Sequence, residues 1–200
     1  MTEKERIHNA LAVVKKATEA SSAKWVIGGS TSLMLRGLPL SALPRDLDIY
    51  CDEEDIAAIH KALEPYALDQ PALSETGMYR SILSHYLIQG IQVELVGGFH
   101  VKASGSLYVT MVRNVLFAYS ERIELNETAI AVPVVPLAHE LWFNFLRDRM
   151  DRVDLVAQAY AKAPALHERA LLAIEECNAF TAEATRSLHL IISTREAGGL

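Results

Sequence analysis

The chain is poor in the residues that would mark several common protein classes. It has only two cysteines in 200 residues, Cys51 and Cys177, far apart and in no CxxC or Cys/His pattern. A disulfide framework and a thiolate zinc site are both excluded, and two reduced thiols are expected. Basic residues are in the minority, and the net charge of −6 argues against a protein that lives by binding long nucleic acid. No apolar run is long enough to span a bilayer. The opening MTEKERIHN is too charged for a secretory signal, so the expectation is a cytoplasmic protein with no membrane partner. The seven histidines show no HxxxH pair. There is no GxSxG elbow and no GxxxxGK[ST] loop, which removes a serine hydrolase and a P-loop.

What is present is a large apolar fraction, 50% of residues, enough for a sizeable core. Thr2 and Glu5 form a capping-box pattern ahead of a helix over 2–21. A short strand over 24–27 stops at Gly28-Gly29, and a helix over 30–36 ends at Gly37. Residues 38–45 form a loop with two prolines. A strand over 47–51 leads to a helix over 53–66 with acidic residues in its first turn. Residues 69–77 read as loop. Strands over 79–88 and 91–96 make a hairpin around Gln89-Gly90, the second closed by Gly97-Gly98. Residues 106–119 fit helix or strand equally. Segments 123–125 and 129–135 pair across Asn126–Thr128. From Pro136 the pattern is helical: 137–150, 151–163, 164–177 and 179–193. The closing Gly-Gly-Leu is expected to fray. The chain thus reads as α+β, with a mixed β-sheet core flanked by helices over 1–135 and a helical region over 136–200.

Three stretches carry candidate chemistry. In VIGGSTSLMLRG, Gly28, Gly29 and Ser30 form either a phosphate-binding turn or a plain strand-to-helix corner. In PRDLDIY, Asp46 and Asp48 are two apart on a strand and so share a face. Two adjacent carboxylates suit a hard divalent cation; the alternative is a solvated strand edge with Arg45 as counter-charge. In IQVELVGG, Glu94 stands alone in an apolar strand. It joins the aspartates only if its strand lies beside theirs; otherwise it is an exposed-face glutamate.

Together, GGS, RDLDIY and Glu94 resemble the nucleotidyltransferase superfamily, the DNA polymerase β-like group, and most of all its antibiotic- and toxin-type branches. The resemblance covers roughly residues 24–100. RMDRVDLV, residues 149–156, is similar to a basic-x-Asp-x-x-Asp helix that supports the nucleotide pocket in several branches. The family's RxTxD pattern is incomplete here, with Ala42 and Pro44 at two places and only Arg45 basic, and the third carboxylate is Glu rather than Asp.

The resemblance implies transfer of a nucleoside monophosphate from an NTP to a hydroxyl, with release of pyrophosphate. Asp46, Asp48 and Glu94 would be the catalytic and metal-binding residues for Mg²⁺ or Mn²⁺. Gly28, Gly29, Ser30 and Arg45 would bind the nucleotide, whose phosphates would lie over the first turn of the helix at Ser30. The acceptor stays open among small molecule, protein and RNA, as does a homodimer. Trp142, Phe143, Phe145 and Tyr160 either line an acceptor cleft or belong to the core. The alternative is a catalytically degenerate protein that keeps the fold as a ligand- or partner-binding module.

Overall fold

The computed structural model describes residues 2–125 and 129–197. Its centre is a mixed eight-stranded sheet. Helix α1 (Glu3–Thr18) starts from the Thr2/Glu5 capping box and leads to β1 (Trp25–Ile27). Helix α2 (Gly29–Leu35) follows at once, then β2 (Asp46–Cys51) and α3 (Ile56–Leu63). Next come β3 (Ala72–Glu75), β4 (Tyr79–Ile88), β5 (Ile91–Ala103) and β6 (Ser106–Val109). Strands β7 (Glu121–Glu124) and β8 (Ala131–Val134) complete the sheet. Four helices end the chain: α4 (Leu137–Leu146), α5 (Met150–Tyr160), α6 (Pro164–Glu176) and α7 (Ala182–Ala197).

The strand order is β3-β4-β5-β2-β1-β8-β7, with β6 also pairing β5. Strand β2 runs parallel to β5 and antiparallel to β1, and β1 runs parallel to β8. The sheet therefore has two faces with different cover. On one, Leu47, Ile49, Val93 and Leu95 meet Leu11 of α1 and Ile59 of α3 in a closed apolar core. On the other, Val26, Tyr50 and Val96 share a core with Leu141, Trp142 and Phe143 of α4. The helical end of the chain is thus packed onto the sheet through continuous apolar burial.

The sheet departs from the sequence reading in three places. Residues 72–75, read as loop, form β3, because the long β4 offers a free edge for them. Strand β5 does not stop at Gly97-Gly98 but continues to Ala103. Gly98 takes a left-handed φ of 55°, and the β4–β5 register slips between Arg80 and Ile82 opposite this point. The glycines make an irregularity that bends the strand rather than ending it. A Cβ on Gly97 would also overlap Ile56. The ambiguous stretch 106–119 is β6 followed by a π-helical turn over Val112–Leu116. Its first N–H groups are held by the Asp52 carboxylate, to Val112 N and Arg113 N at 2.8 Å each. Strands β7 and β8 pair as expected; the expected turn at Asn126–Thr128 and the closing Gly-Gly-Leu lie outside the described residues. Among those described, no helix is long and apolar enough to cross a membrane.

Candidate active site

Strand parity builds the acidic wall. Asp46 and Asp48 are two apart on β2, and the parallel register sets Asp46 beside Gln92 and Asp48 beside Glu94 of β5. Paired residues on adjacent strands point to one side. All three carboxylates therefore share the sheet face covered by α4, and all three line one cleft of about 390 Å³. Residues 45 and 47 fall on the opposite parity. Leu47 is buried in the closed core, and Arg45, just before the strand, is exposed and outside the cleft lining. The expected pairing of Arg45 with the nucleotide site is not what the backbone presents.

Gly29 and Ser30 line the same cleft. Gly29 has a left-handed φ of 60°, and a Cβ there would overlap the Asp48 carboxylate. A side chain is excluded both by conformation and by space. Gly28 is not part of the lining; its role is to clear the Tyr50 ring, which a Cβ would strike. Of the three hydroxyls that follow, two are committed inside the protein. Thr31 Oγ1 donates to the Asp46 carbonyl at 3.1 Å. Ser32 Oγ lies 2.8 Å from the Gly29 carbonyl and 2.7 Å from Glu140 Oε1. Ser30 lines the cleft.

The other wall comes from the helical end, which the sequence reading tied to the nucleotide pocket only through the resemblance of the RMDRVDLV stretch, without naming a site residue there. Helix α4 stops at Leu146, Asp148 turns the chain with a φ of 55°, and α5 begins at Met150. This tight corner brings Arg147, Arg149 and Arg152 into the cleft lining. Arg147 is braced by its Nε bond to Tyr79 Oη at 2.9 Å and by the Phe143 ring at 4.7 Å. Arg152 Nη1 is buried without a hydrogen-bond partner. An unmet buried donor on a cation is costly, and it suits an anionic ligand oxygen. Arg149 and Arg152 lie in the RMDRVDLV stretch; Arg147 just before it carried no signal of its own.

Glu140 is the second residue the sequence reading missed. It is 1% exposed, lines the cleft, and accepts from Ser32 Oγ and from Asn144 Nδ2 at 3.0 Å. Its signal was a glutamate, with Asn144 four residues on, inside the otherwise apolar LAHELWFNFL. Of the four aromatics considered, Phe143 lines the cleft. Trp142 is core, stacked on Phe180 with ring centroids 3.7 Å apart. Tyr160 lines a separate groove beside α6 and α7, and Phe145 packs edge-on against Trp142.

The electrostatics are unbalanced towards negative charge at β2. Burial, then Asp46, Glu94 and Glu140 in turn, push the Asp48 carboxyl up to about 7, against the pull of Arg147. Burial likewise raises the Glu140 carboxyl, opposed by Ser32, Arg36, Asn144 and the Gly29 N–H. Such crowding calls for a cation. The donors are hard oxygens on one face, which suits Mg²⁺ or Mn²⁺. Among the described residues, however, no three acidic or imidazole groups form a ready-made metal cage. Glu94 is held at 3.1 Å by Gln92 and lies 4.0 Å from His85, which itself is fixed to Asp69 at 2.6 Å.

No protein-family model and no curated protein sequence matches the chain. Solved structures do. A candidate nucleotidyltransferase from Thermotoga maritima is 24% identical, with a TM-score of 0.62 over 76% of this chain and 90% of its own. The antibiotic-resistance factor ANT(2″)-Ia, solved with adenylyl-2″-tobramycin, is 13% identical, with a TM-score of 0.52 over 88% of this chain and 98% of its own. A solution structure of the same factor gives 12% and 0.50 over 86% and 93%. By architecture, then, the chain carries a nucleotidyltransferase-like fold.

Proposed function

We propose that the protein transfers a nucleoside monophosphate from an NTP to a hydroxyl of an acceptor, releasing pyrophosphate. One observation carries this reading. The carboxylates Asp46, Asp48 and Glu94 line one wall of a cleft whose other wall holds Arg147, Arg149 and Arg152, with Gly29-Ser30 alongside. That is the charge pattern a metal-bound triphosphate needs: hard oxygens for the cation, guanidinium groups for the phosphates.

In this reading Asp46, Asp48 and Glu94 hold Mg²⁺ or Mn²⁺, which when bound neutralises phosphate charge and polarises the α-phosphate. Arg149 and Arg152 bind the β- and γ-phosphates, and the buried Nη1 of Arg152 gains its missing acceptor. Ser30 Oγ donates to a phosphate oxygen. The acceptor oxygen attacks the α-phosphorus in line, the bond to the bridging β-oxygen breaks, and pyrophosphate leaves. The hydroxyl proton passes to the Glu94 carboxylate. Phe143 and Phe99, with Leu83 and Val96, form an apolar floor in the same cleft.

Thermal stability measured against each NTP with and without Mg²⁺ tests this. Stabilisation that needs both, and that Asp46→Asn removes, is the expected result. No stabilisation by any pair, with Asp46→Asn indistinguishable from wild type, overturns it. A second reading, a non-catalytic protein that uses the cleft only to bind, is favoured by the exposed Arg45 and by the lack, among the described residues, of a ready-made metal cage. It predicts nucleotide binding with no pyrophosphate released.

A further inference from the structure

Glu140 asks for an explanation that fold stability does not supply. A carboxylate at 1% exposure carries a large desolvation cost. It also adds to the negative charge that already crowds Asp48. A purely structural contact to Ser32 could be made by a neutral amide. Replacing buried charges by neutral groups is often neutral or stabilising. What distinguishes Glu140 is where its oxygens go. Across 108 residues of sequence it accepts from Ser32 Oγ at 2.7 Å. The Gly29 backbone N–H faces the same carboxylate. Asn144, one turn along α4, donates to its other oxygen at 3.0 Å. So Glu140 grips both ends of Gly29-Ser30-Thr31-Ser32 and is itself held from behind.

This turn has little support of its own without that grip. Gly29 is in a left-handed conformation with Asp48 directly over it. Helix α2 has only seven residues and no side-chain cap of its own. Such a short helix is marginal by itself. The orientation of Ser30 therefore depends on a carboxylate supplied by α4.

We infer that Glu140 is a positioning residue of the nucleotide site, fixing the Gly29–Ser32 turn from α4 so that Ser30 and the Gly29 backbone stand at the right distance from Asp48. The inference rests on the proposed nucleotide site. It adds that the helical end of the chain supplies the set of the glycine turn as well as the phosphate-facing arginines. An acceptor-only group is required because both contacts to the turn, one hydroxyl and one N–H, are donors. Glutamine fills the same volume but cannot accept from both Ser32 and Gly29 and still receive the Asn144 amide.

The test uses the full chain, Mn²⁺ with α,β-methylene-ATP as the probe, and calorimetric titration well below the melting temperature. The variants are Glu140→Gln, Ser32→Ala and the pair together. Glu140→Gln is expected to weaken probe binding by about tenfold or more, the scale seen when a supporting partner of a metal ligand is lost. The double variant should lose little beyond the larger single loss, because both changes act through one turn. A structural role alone would lower the melting temperature and leave the dissociation constant unchanged. That result in Glu140→Gln, with wild type binding the probe, overturns the inference alone. If Glu140→Gln fails to fold, Ser32→Ala carries the same test, and unchanged binding there overturns it. Wild type that binds no probe overturns both the inference and the proposed nucleotide site.

Discussion

The two faces of the central sheet differ in one respect that sets everything else. Against α1 and α3 the strands present Leu47, Ile49, Val93 and Leu95, which pack into a closed apolar core. Against α4 and α5 the same strands present Asp46, Asp48 and Glu94, and the apolar packing gives way to a cleft. The strands are the same; only parity separates the two sides. The closed face gains free energy from burial, and the open face gives some back to hold like charges together. Stability and the proposed chemistry thus fall on opposite sides of β2 and β5.

Substitutions on the two faces should separate accordingly. The largest effect is expected from Asp48→Asn on the open side. It should cut nucleotidyl transfer, or Mg²⁺-dependent NTP stabilisation, by more than about a hundredfold, beyond the loss of a supporting partner. It should not destabilise the ligand-free protein. Ile59→Ala on the closed face should do the reverse. Chemical denaturation should show a loss of about 2–5 kcal/mol, while NTP affinity per folded molecule stays unchanged. Equal stability losses from both substitutions would erase the contrast.

The pH dependence sharpens it. A carboxyl pushed up to about 7 from the ordinary 3.8 keeps a proton in the folded state that the unfolded chain has released. That contribution is complete below pH 4 and is lost as pH rises through 7. Ligand-free wild type should therefore lose about 1–2 kcal/mol that Asp48→Asn does not, after allowance for solvent screening. His139 acts in the opposite sense. Burial first, then Arg36 and Arg147, hold its imidazole down to about 3, so its contribution is lost as pH falls from 6.5 towards 3. Both proteins keep His139, so its contribution cancels, and the difference between wild type and Asp48→Asn should open between about pH 4 and 7 and stay level above that. A saturating divalent cation should flatten it.

Smaller effects should rank the cations. Arg152→Ala should weaken NTP binding by about tenfold, since a charge-assisted bond is worth about 1.5–3 kcal/mol. Arg45→Ala should change binding less than twofold in the same titration, because Arg45 stands outside the cleft. A larger loss from Arg45 than from Arg152 would return the phosphate site to the loop before β2.

Much of the open face was legible because it depends on local rules. Two aspartates at a spacing of two on a strand must share a face. A glycine pair between a strand and a helix must be a corner. Glu94 was a lone carboxylate in an apolar strand, but its side of the sheet depended on β2 and β5 pairing in parallel, 46 residues apart in register. Arg147, Arg149, Arg152 and Glu140 were harder, because ordinary amphipathic helices carry such residues on solvated faces. Glu140, inside an apolar run, was the visible exception.

The sequence by itself determined the local conformations: the capping box of α1, the glycine corner at Gly28-Gly29, and the alternation that sorts Asp46 and Asp48 from Leu47 and Ile49. These follow from backbone sterics and a period of two, which need no distant partner. Tertiary structure decided which wall faces which. Packing α4 onto Tyr50 and Val96 brought a buried glutamate and three arginines to a turn more than a hundred residues away. The apolar contacts that drive that docking carry no information about the charges they bring together.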